Sequence, residues 1–101
     1  MTRKTKMSEL RSVARALEKV VKVIEFGYIK HPANDWATGF STADHEDAAF
    51  RHLLKRGNDD ESGIDHRAHA VIRLLYAMEK DIDSDRTRTS AGVGEKDTGN
   101  P

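Results

Sequence analysis

The chain contains no cysteine, which excludes disulfide bonds and thiolate metal ligands. Carboxylate oxygen and imidazole nitrogen are therefore the strong ligands available for any metal ion. The chain also has no excess charge, because its 17 lysines and arginines balance its 17 aspartates and glutamates. This balance favours neither nucleic acid nor a membrane surface as a partner.

Long apolar runs are absent as well. The basic start is followed by an amphipathic segment, so the sequence predicts neither a signal peptide nor a transmembrane span, and we expect a cytoplasmic protein. No internal repeat and no phosphate-binding glycine loop is visible. At 101 residues the chain is one small domain that buries a modest part of its surface, which favours self-association.

Apolar residues recur at helical spacing in three segments, so the sequence predicts an all-α fold of about three helices. The first helix is expected from Ser8, as its N-cap, to Phe26, with Gly27 ending it. A connecting segment with a single tryptophan, Trp36, follows over residues 28–39. The apolar side of this helix is Leu10, Val13, Ala14, Leu17, Val20, Val21 and Ile24.

The second helix is expected to begin at Ser41 or Thr42 and to stop at Gly57. Glu46 falls within its apolar stripe, which predicts a carboxylate facing the interior and held there by an ion pair or another cation. The apolar side of this helix is Ala43, Phe50, Leu53 and Leu54.

The third helix is expected from about Asp65 to Ile82, with Asp65 or Ser62 as its cap. It is apolar around most of its circumference, which predicts a central helix covered by the others or by a second subunit. A polar tail follows, so we predict an ordered domain over residues 1–83 and a disordered tail over 84–101. The apolar residues on one side of the helix are Ala68, Val71, Ile72, Leu75, Met78 and Ile82. Those on the other side are Ala70, Leu74 and Ala77. The polar strip between the two sides consists of His66, His69 and Arg73.

The candidate site is the stretch from Asp59 to His69, in which three acidic residues precede Gly63 and two histidines follow it. His66 and His69 are three residues apart, so both lie on one face of the third helix. Each feature also has a structural explanation, since a partly buried histidine commonly bonds only to backbone or to a carboxylate. Likewise, Glu18 either overlooks a groove or pairs with a neighbouring cation on the first helix.

Three blocks of sequence, taken in order, resemble the phage-associated dATP/dGTP diphosphohydrolase N-terminal domain family. The resemblance runs from about Leu17 to Met78, and that family is related to the MazG-type all-α nucleoside triphosphate pyrophosphohydrolases. It implies a MazG-like helical bundle, completed by oligomerisation to a dimer or tetramer, in a phage or prophage protein of a bacterial host. The blocks are residues 23–36, 49–53 and 59–70.

The resemblance also implies a function, which is metal-dependent hydrolysis of dATP or dGTP to the monophosphate and pyrophosphate. Its substrate is a small nucleotide, and neither nucleic acid nor a membrane is an expected partner. The metal is expected to be Mg²⁺ or Mn²⁺, or another transition ion if the histidines are ligands, because Mg²⁺ ordinarily avoids imidazole. The implied roles are metal binding by Glu18, Asp59 and Glu61, substrate binding by Lys30, Trp36, Arg51 and His52, and catalysis by His66 and His69.

Three positions depart from the family pattern. His31 replaces a tyrosine, Asp35 replaces an asparagine before the tryptophan, and Arg73 replaces an asparagine on the third helix. These departures suggest an alternative, a noncatalytic nucleotide-binding or phage interaction module on the same bundle.

Overall fold

A computed structural model describes residues 6–92 of the chain, with side chains through residue 85. Throughout that part the regular structure is helical, apart from one isolated bridge between Asn58 and Asp65. The expected all-α bundle is confirmed, and no described helix is long and apolar enough to cross a membrane. The elements are a 3-10 helix Lys6–Val13 and the α-helices α1 Ala14–Lys30, α2 Asp35–Thr38, α3 Thr42–Leu53 and α4 His66–Gly92.

Helix α1 begins and ends later than the sequence predicted. The segment from Ser8 to Val13 is part of the 3-10 helix. Its apolar side chains stay exposed, so few packing contacts stabilise a regular α-helix there. Gly27 lies inside α1, and its carbonyl accepts the N–H of His31 at 2.8 Å. The helix stops at His31 because Pro32 disfavours the helical conformation in the preceding residue, whose backbone is extended (φ −137°, ψ 149°).

Helix α3 has the predicted start, where Ser41 and Asp44 form a capping box. The Ser41 hydroxyl accepts the Asp44 N–H at 3.0 Å, and the Ser41 N–H donates to the Asp44 carboxylate at 2.9 Å. The predicted end was wrong, because α3 stops at Leu53 and Gly57 instead turns the following loop with φ 79°.

The buried face of α3 is not the one that periodicity indicated. His45, Ala48 and Ala49 are buried, while Glu46 is exposed and offers no carboxylate to the interior. Small side chains let α3 approach α4 closely, so the bulky apolar residues were left on the outer side. The predicted apolar side, now seen to be exposed, is Ala43, Phe50, Leu53 and Leu54.

Helix α4 is the central helix, as expected, because both α1 and α3 pack against it. It starts after Asp65, whose carboxylate accepts the Arg67 N–H at 2.8 Å as an N-cap does. It continues past the predicted end at Ile82 to Gly92, so the expected disordered tail overlaps a helix over residues 84–92. The rest of that tail, residues 93–101, lies outside the described residues.

The core lies on one side of α4. Val20 and Val23 of α1 form a buried cluster with Ala68 and Ile72 of α4. Next to this cluster, α4 carries a strip of apolar residues that stays open in the single chain, so the other helices do not cover it, and cover by a second subunit stays a prediction. These open residues are Val71, Leu75, Met78 and Ile82, with exposed fractions of 41%, 46%, 56% and 47%.

Candidate functional site

A cleft of about 220 Å³ lies beside α4, lined also by the end of α1, by α2, by α3 and by the loop between α3 and α4. Val23, Ile24 and Ile72 give it apolar walls, and polar and aromatic side chains complete the lining. The polar strip predicted on α4 faces this cleft through His69 and Arg73, so the expected crevice is confirmed.

The loop between α3 and α4 is held in one shape by its backbone. The Asp59 N–H donates to the Ile64 carbonyl and the Gly63 N–H to the Asp59 carbonyl, both at 2.8 Å. The His66 N–H donates to the Gly57 carbonyl at 3.0 Å, which closes the loop onto α4. Gly57 and Gly63 have φ of 79° and 75°, a left-handed backbone that suits glycine.

This loop aims the Asp59 carboxylate. Its Oδ1 atom accepts the N–H groups of Glu61 and Ser62 at 2.9 and 2.8 Å, while Oδ2 lies 4.0 Å from Nδ1 of His66. The Ser62 N–H and then the Glu61 N–H hold the pKa of Asp59 below its ordinary value against the opposing effect of burial. Asp59 is therefore ionised at neutral pH, with one oxygen fixed by backbone and the other turned to the histidines.

Two histidines meet Asp59 from different helices. His52 near the end of α3 and the buried His66 at the start of α4 place their Nδ1 atoms 2.9 Å apart. Burial, reinforced by His69 and His66, lowers the pKa of His52 to about 4. His52 is thus a neutral imidazole near pH 7, the state in which a histidine binds a metal.

His52, Asp59 and His66 form a group that could hold a metal ion, since one ligand atom from each lies within 4.8 Å of the others. Two imidazole nitrogens and one carboxylate oxygen suit a transition ion better than Mg²⁺, which prefers oxygen ligands throughout. The donor chemistry therefore fits a divalent transition metal. This group shares only Asp59 with the metal set implied by the sequence.

His69 lies beside this group. Its ring stacks on the His52 ring at 4.6 Å between centroids, with 17° between the ring planes. The Ser62 hydroxyl, which accepts the Ile64 N–H, lies 2.7 Å from Nε2 of His69 and fixes the orientation of the ring. Burial lowers the pKa of His69 from its ordinary value, so it too is a neutral imidazole near pH 7.

Lys30 adds a cation from the end of α1. Its ammonium group donates to the Glu61 carboxylate at 3.0 Å and lies 5.7 Å from the centre of the Phe26 ring. Both members of this ion pair line the cleft and are largely exposed, so the pair contributes little to stability and is free to exchange partners.

The other end of the cleft is aromatic. The Trp36 ring of α2 stacks on Tyr76 of α4 at 4.7 Å between centroids and 7° between planes. Phe40 and His45 pack nearby, with the His45 ring 5.4 Å from both Phe40 and Tyr76. Arg73 lies over the Phe40 ring, its guanidinium carbon 4.7 Å from the ring centre.

Most of the residues singled out in the sequence meet at this cleft. His66 contacts the lining residue His52, whereas Glu18 is exposed on α1 and lies outside the lining. Arg51 also lies outside it and forms an ion pair with Asp47 on the surface of α3. The residues that line the cleft themselves are Lys30, Trp36, His52, Asp59, Glu61 and His69.

Several site residues were missed in the sequence. Tyr76 follows Arg73 by three residues, so the polar strip of α4 could have been extended to it by spacing alone. His45 precedes His52 by seven residues on α3, and that spacing was also readable. Nothing in the pattern of residues indicated that the Ser62 hydroxyl would meet His69.

Comparison with known proteins identifies one family. The family model described as dATP/dGTP diphosphohydrolase, N-terminal, matches residues 1–89. No curated protein and no solved structure matches the chain.

Replacing Gly63 by alanine tests the loop that aims Asp59. No atom would lie within 4 Å of an added Cβ, so the penalty comes from the left-handed backbone alone. We expect Gly63→Ala to lower the free energy of unfolding by about 1–2 kcal/mol, and Gly63→Asn by less, because asparagine tolerates this conformation. Urea denaturation followed by circular dichroism measures both. Gly27→Ala, inside α1, is the control, and equal stability of all three variants would contradict the account of the loop.

Proposed function

This chain belongs to the dATP/dGTP diphosphohydrolase N-terminal family, and from that premise we propose that it hydrolyses a purine deoxynucleoside triphosphate, dATP or dGTP, to the monophosphate and pyrophosphate. The observation that carries the proposal is the cleft, where ligands of metal-binding type, a lysine and an aromatic pair stand around one cavity. Cleavage of a triphosphate requires a divalent cation, cationic groups near the phosphates and an aligned water molecule.

In this proposal the divalent metal is held by His52, Asp59 and His66. The support is their convergence, together with the neutral state of His52 and the ionised state of Asp59. Mn²⁺ or another transition ion suits two imidazoles better than Mg²⁺ does. When bound, the metal would supply Lewis-acid stabilisation of the charge that develops on the phosphates.

Lys30 and Glu61 are assigned to the phosphates rather than to the metal. The Lys30 ammonium group has three N–H donors, and its bond to Glu61 uses one of them. Lys30 therefore keeps donors for phosphate oxygens, and Glu61 holds its ammonium group at the edge of the cleft. Since the pair is exposed, its rearrangement around a bound nucleotide costs little.

His69 is the proposed general base. It lines the cleft next to the three ligand residues, and Ser62 holds its ring in place. In the reaction His69 accepts a proton from the attacking water, whose oxygen forms a bond to phosphorus while the bond to the departing phosphate oxygen breaks. The products are the deoxynucleoside monophosphate and pyrophosphate.

Trp36 and Tyr76 are assigned to the nucleobase. They are stacked and line the end of the cleft away from the acidic loop. An aromatic pair offers a flat apolar surface on which a purine can stack. Arg51 and Glu18 have no part in this proposal, because both lie outside the cleft lining.

Turnover is tested with the two neighbouring aspartates of the loop. We expect hydrolysis of dATP or dGTP with Mn²⁺, and a loss of at least about 100-fold in kcat/KM for Asp59→Asn, because Asp59 is the anionic metal ligand. Asp60→Asn, an exposed neighbour, should behave like the unaltered protein. Chromatographic separation of monophosphate and pyrophosphate measures the rates. If no deoxynucleoside triphosphate is hydrolysed with Mg²⁺, Mn²⁺, Co²⁺ or Zn²⁺, the chain is a noncatalytic module.

Metal binding can be measured without turnover. We expect Mn²⁺ or Zn²⁺ to raise the melting temperature more than Mg²⁺ does, with a stabilisation of about 2.7 kcal/mol at 100 times the dissociation constant. His52→Gln should abolish the effect, whereas His31→Gln, at a histidine paired with Asp35 outside the ligand group, should keep it. If Glu18→Gln abolished the rise in melting temperature and His52→Gln did not, the metal would instead be bound by the carboxylates that the sequence implied.

We also propose that a second copy of the chain covers the open side of α4. Val71, Leu75, Met78 and Ile82 recur at helical spacing on the side away from the cleft, and each is more than two-fifths exposed. A face shared by two identical helices is self-complementary about a two-fold axis, and a domain of this size gains from the extra burial.

Self-association is tested by light scattering after size-exclusion chromatography. We expect a dimer or tetramer for the unaltered chain and a smaller species for Met78→Lys, because the new charge would be buried at the contact. Glu79→Gln, the exposed neighbour, changes the net charge by the same amount and should retain the assembly. A monomeric unaltered chain would contradict this part of the proposal.

A further inference from the structure

Arg73 is a cation in the cleft that forms no ion pair with the described carboxylates, although the charge of Asp44 acts on it at longer range. It is half-buried, lines the cleft, and lies over the Phe40 ring with its guanidinium carbon 4.7 Å from the ring centre. Within residues 6–85, its described hydrogen bond runs from Nε to Nδ1 of His45 at 2.8 Å, and no carboxylate lies within ion-pair distance. Removing a guanidinium from water is costly, so a fixed Arg73 is suited to receive acceptors from a ligand.

The bond to His45 determines which donors of Arg73 remain. Nε2 of the buried His45 lies 2.8 Å from the Trp36 carbonyl, an acceptor, so Nε2 carries the ring hydrogen and Nδ1 is left as an acceptor. Arg73 therefore donates its Nε–H to His45, and its two Nη groups remain as a planar fork, a pair of donors for a ligand. The Phe40 ring lies against the guanidinium, with its centre 4.7 Å from the guanidinium carbon, and this contact restricts the movement of the fork.

The position of Arg73 along α4 places it near the base rather than the phosphates. Arg73 follows His66 by seven residues, which is about 10 Å along the helix axis. Tyr76, whose ring stacks on Trp36, follows one turn later. The ligand group and Lys30 thus occupy one end of the cleft, and Arg73 lies at the aromatic end.

We propose that Arg73 reads the edge of the purine and makes the cleft prefer guanine to adenine. The inference rests on the proposed function, since it names the substrate of the same site. Guanine presents two acceptors, O6 and N7, on one edge, and the two Nη groups of an arginine fork match them. Adenine presents N7 beside an amino group, so one N–H of the fork would face another donor. His45 acts as the positioning residue that sets the fork.

Binding of nucleoside monophosphates tests the inference independently of catalysis. By isothermal titration calorimetry, we expect dGMP and dIMP, which share O6 and N7, to bind about 10-fold to 100-fold more tightly than dAMP. A 7-deaza-dGMP, lacking N7, should lose much of this advantage. These comparisons use the unaltered chain, so they hold even if a variant fails to fold.

Substitution of Arg73 adds a change of preference. Arg73→Gln should remove or reverse the preference, because a glutamine amide pairs with the donor and acceptor of adenine. Arg56→Gln, an exposed arginine outside the cleft lining, loses the same charge and should keep the preference for guanine. Circular dichroism of each variant establishes that it is folded.

The outcomes separate this inference from the proposed function. Equal binding of dGMP and dAMP would overturn the inference, and so would a loss in Arg73→Gln that is the same for both nucleotides, which is the result expected of a phosphate ligand. Guanine preference in binding without hydrolysis of dGTP would support the inference and contradict the proposed reaction. Failure of both monophosphates to bind would overturn the inference alone, because the proposed reaction is judged by the hydrolysis of dGTP and dATP.

Discussion

The contact between α3 and α4 places the polar groups on which the site depends. Ala48 and Ala49 of α3 and Ala70 and Ala77 of α4 are all buried, and side chains this small let the helices approach closely. The close approach brings the imidazoles of α3 against the polar strip of α4. Buried imidazoles need partners, because an unsatisfied polar group in a dry contact is costly.

Two pairings along this contact meet that requirement in different ways. At one level His45 is bonded on both ring nitrogens, to Trp36 and to Arg73, and is fully satisfied within the protein. At the other level the Nδ1 atoms of His52 and His66 face each other at 2.9 Å, a contact in which at most one hydrogen is shared. The first pairing is complete by itself, whereas a bound cation would satisfy both nitrogens of the second.

The loop between α3 and α4 contributes the acidic half of the site. Its backbone bonds and its two left-handed glycines fix the Asp59 carboxylate, while Glu61 remains on the outside with Lys30. The cleft therefore changes character along α4, from the candidate metal-binding residues and a lysine at the start of the helix to stacked rings and Arg73 further on. A nucleotide has the same order of chemistry along its length, from phosphates to base.

The sequence by itself determined the all-α class, the approximate position of the three long helices but not of α2, the Ser41 cap, the central position of α4 and several of the residues around the cleft. Helical spacing identifies the residues that share a face, but it does not say which face a neighbouring helix will cover. Only the tertiary structure decided that α3 buries its alanines and leaves Phe50 exposed, because close packing favoured the small side chains. It also decided that His52 joins Asp59 and His66 while Glu18 stays outside, since that grouping depends on the distance between helices rather than on the spacing within one.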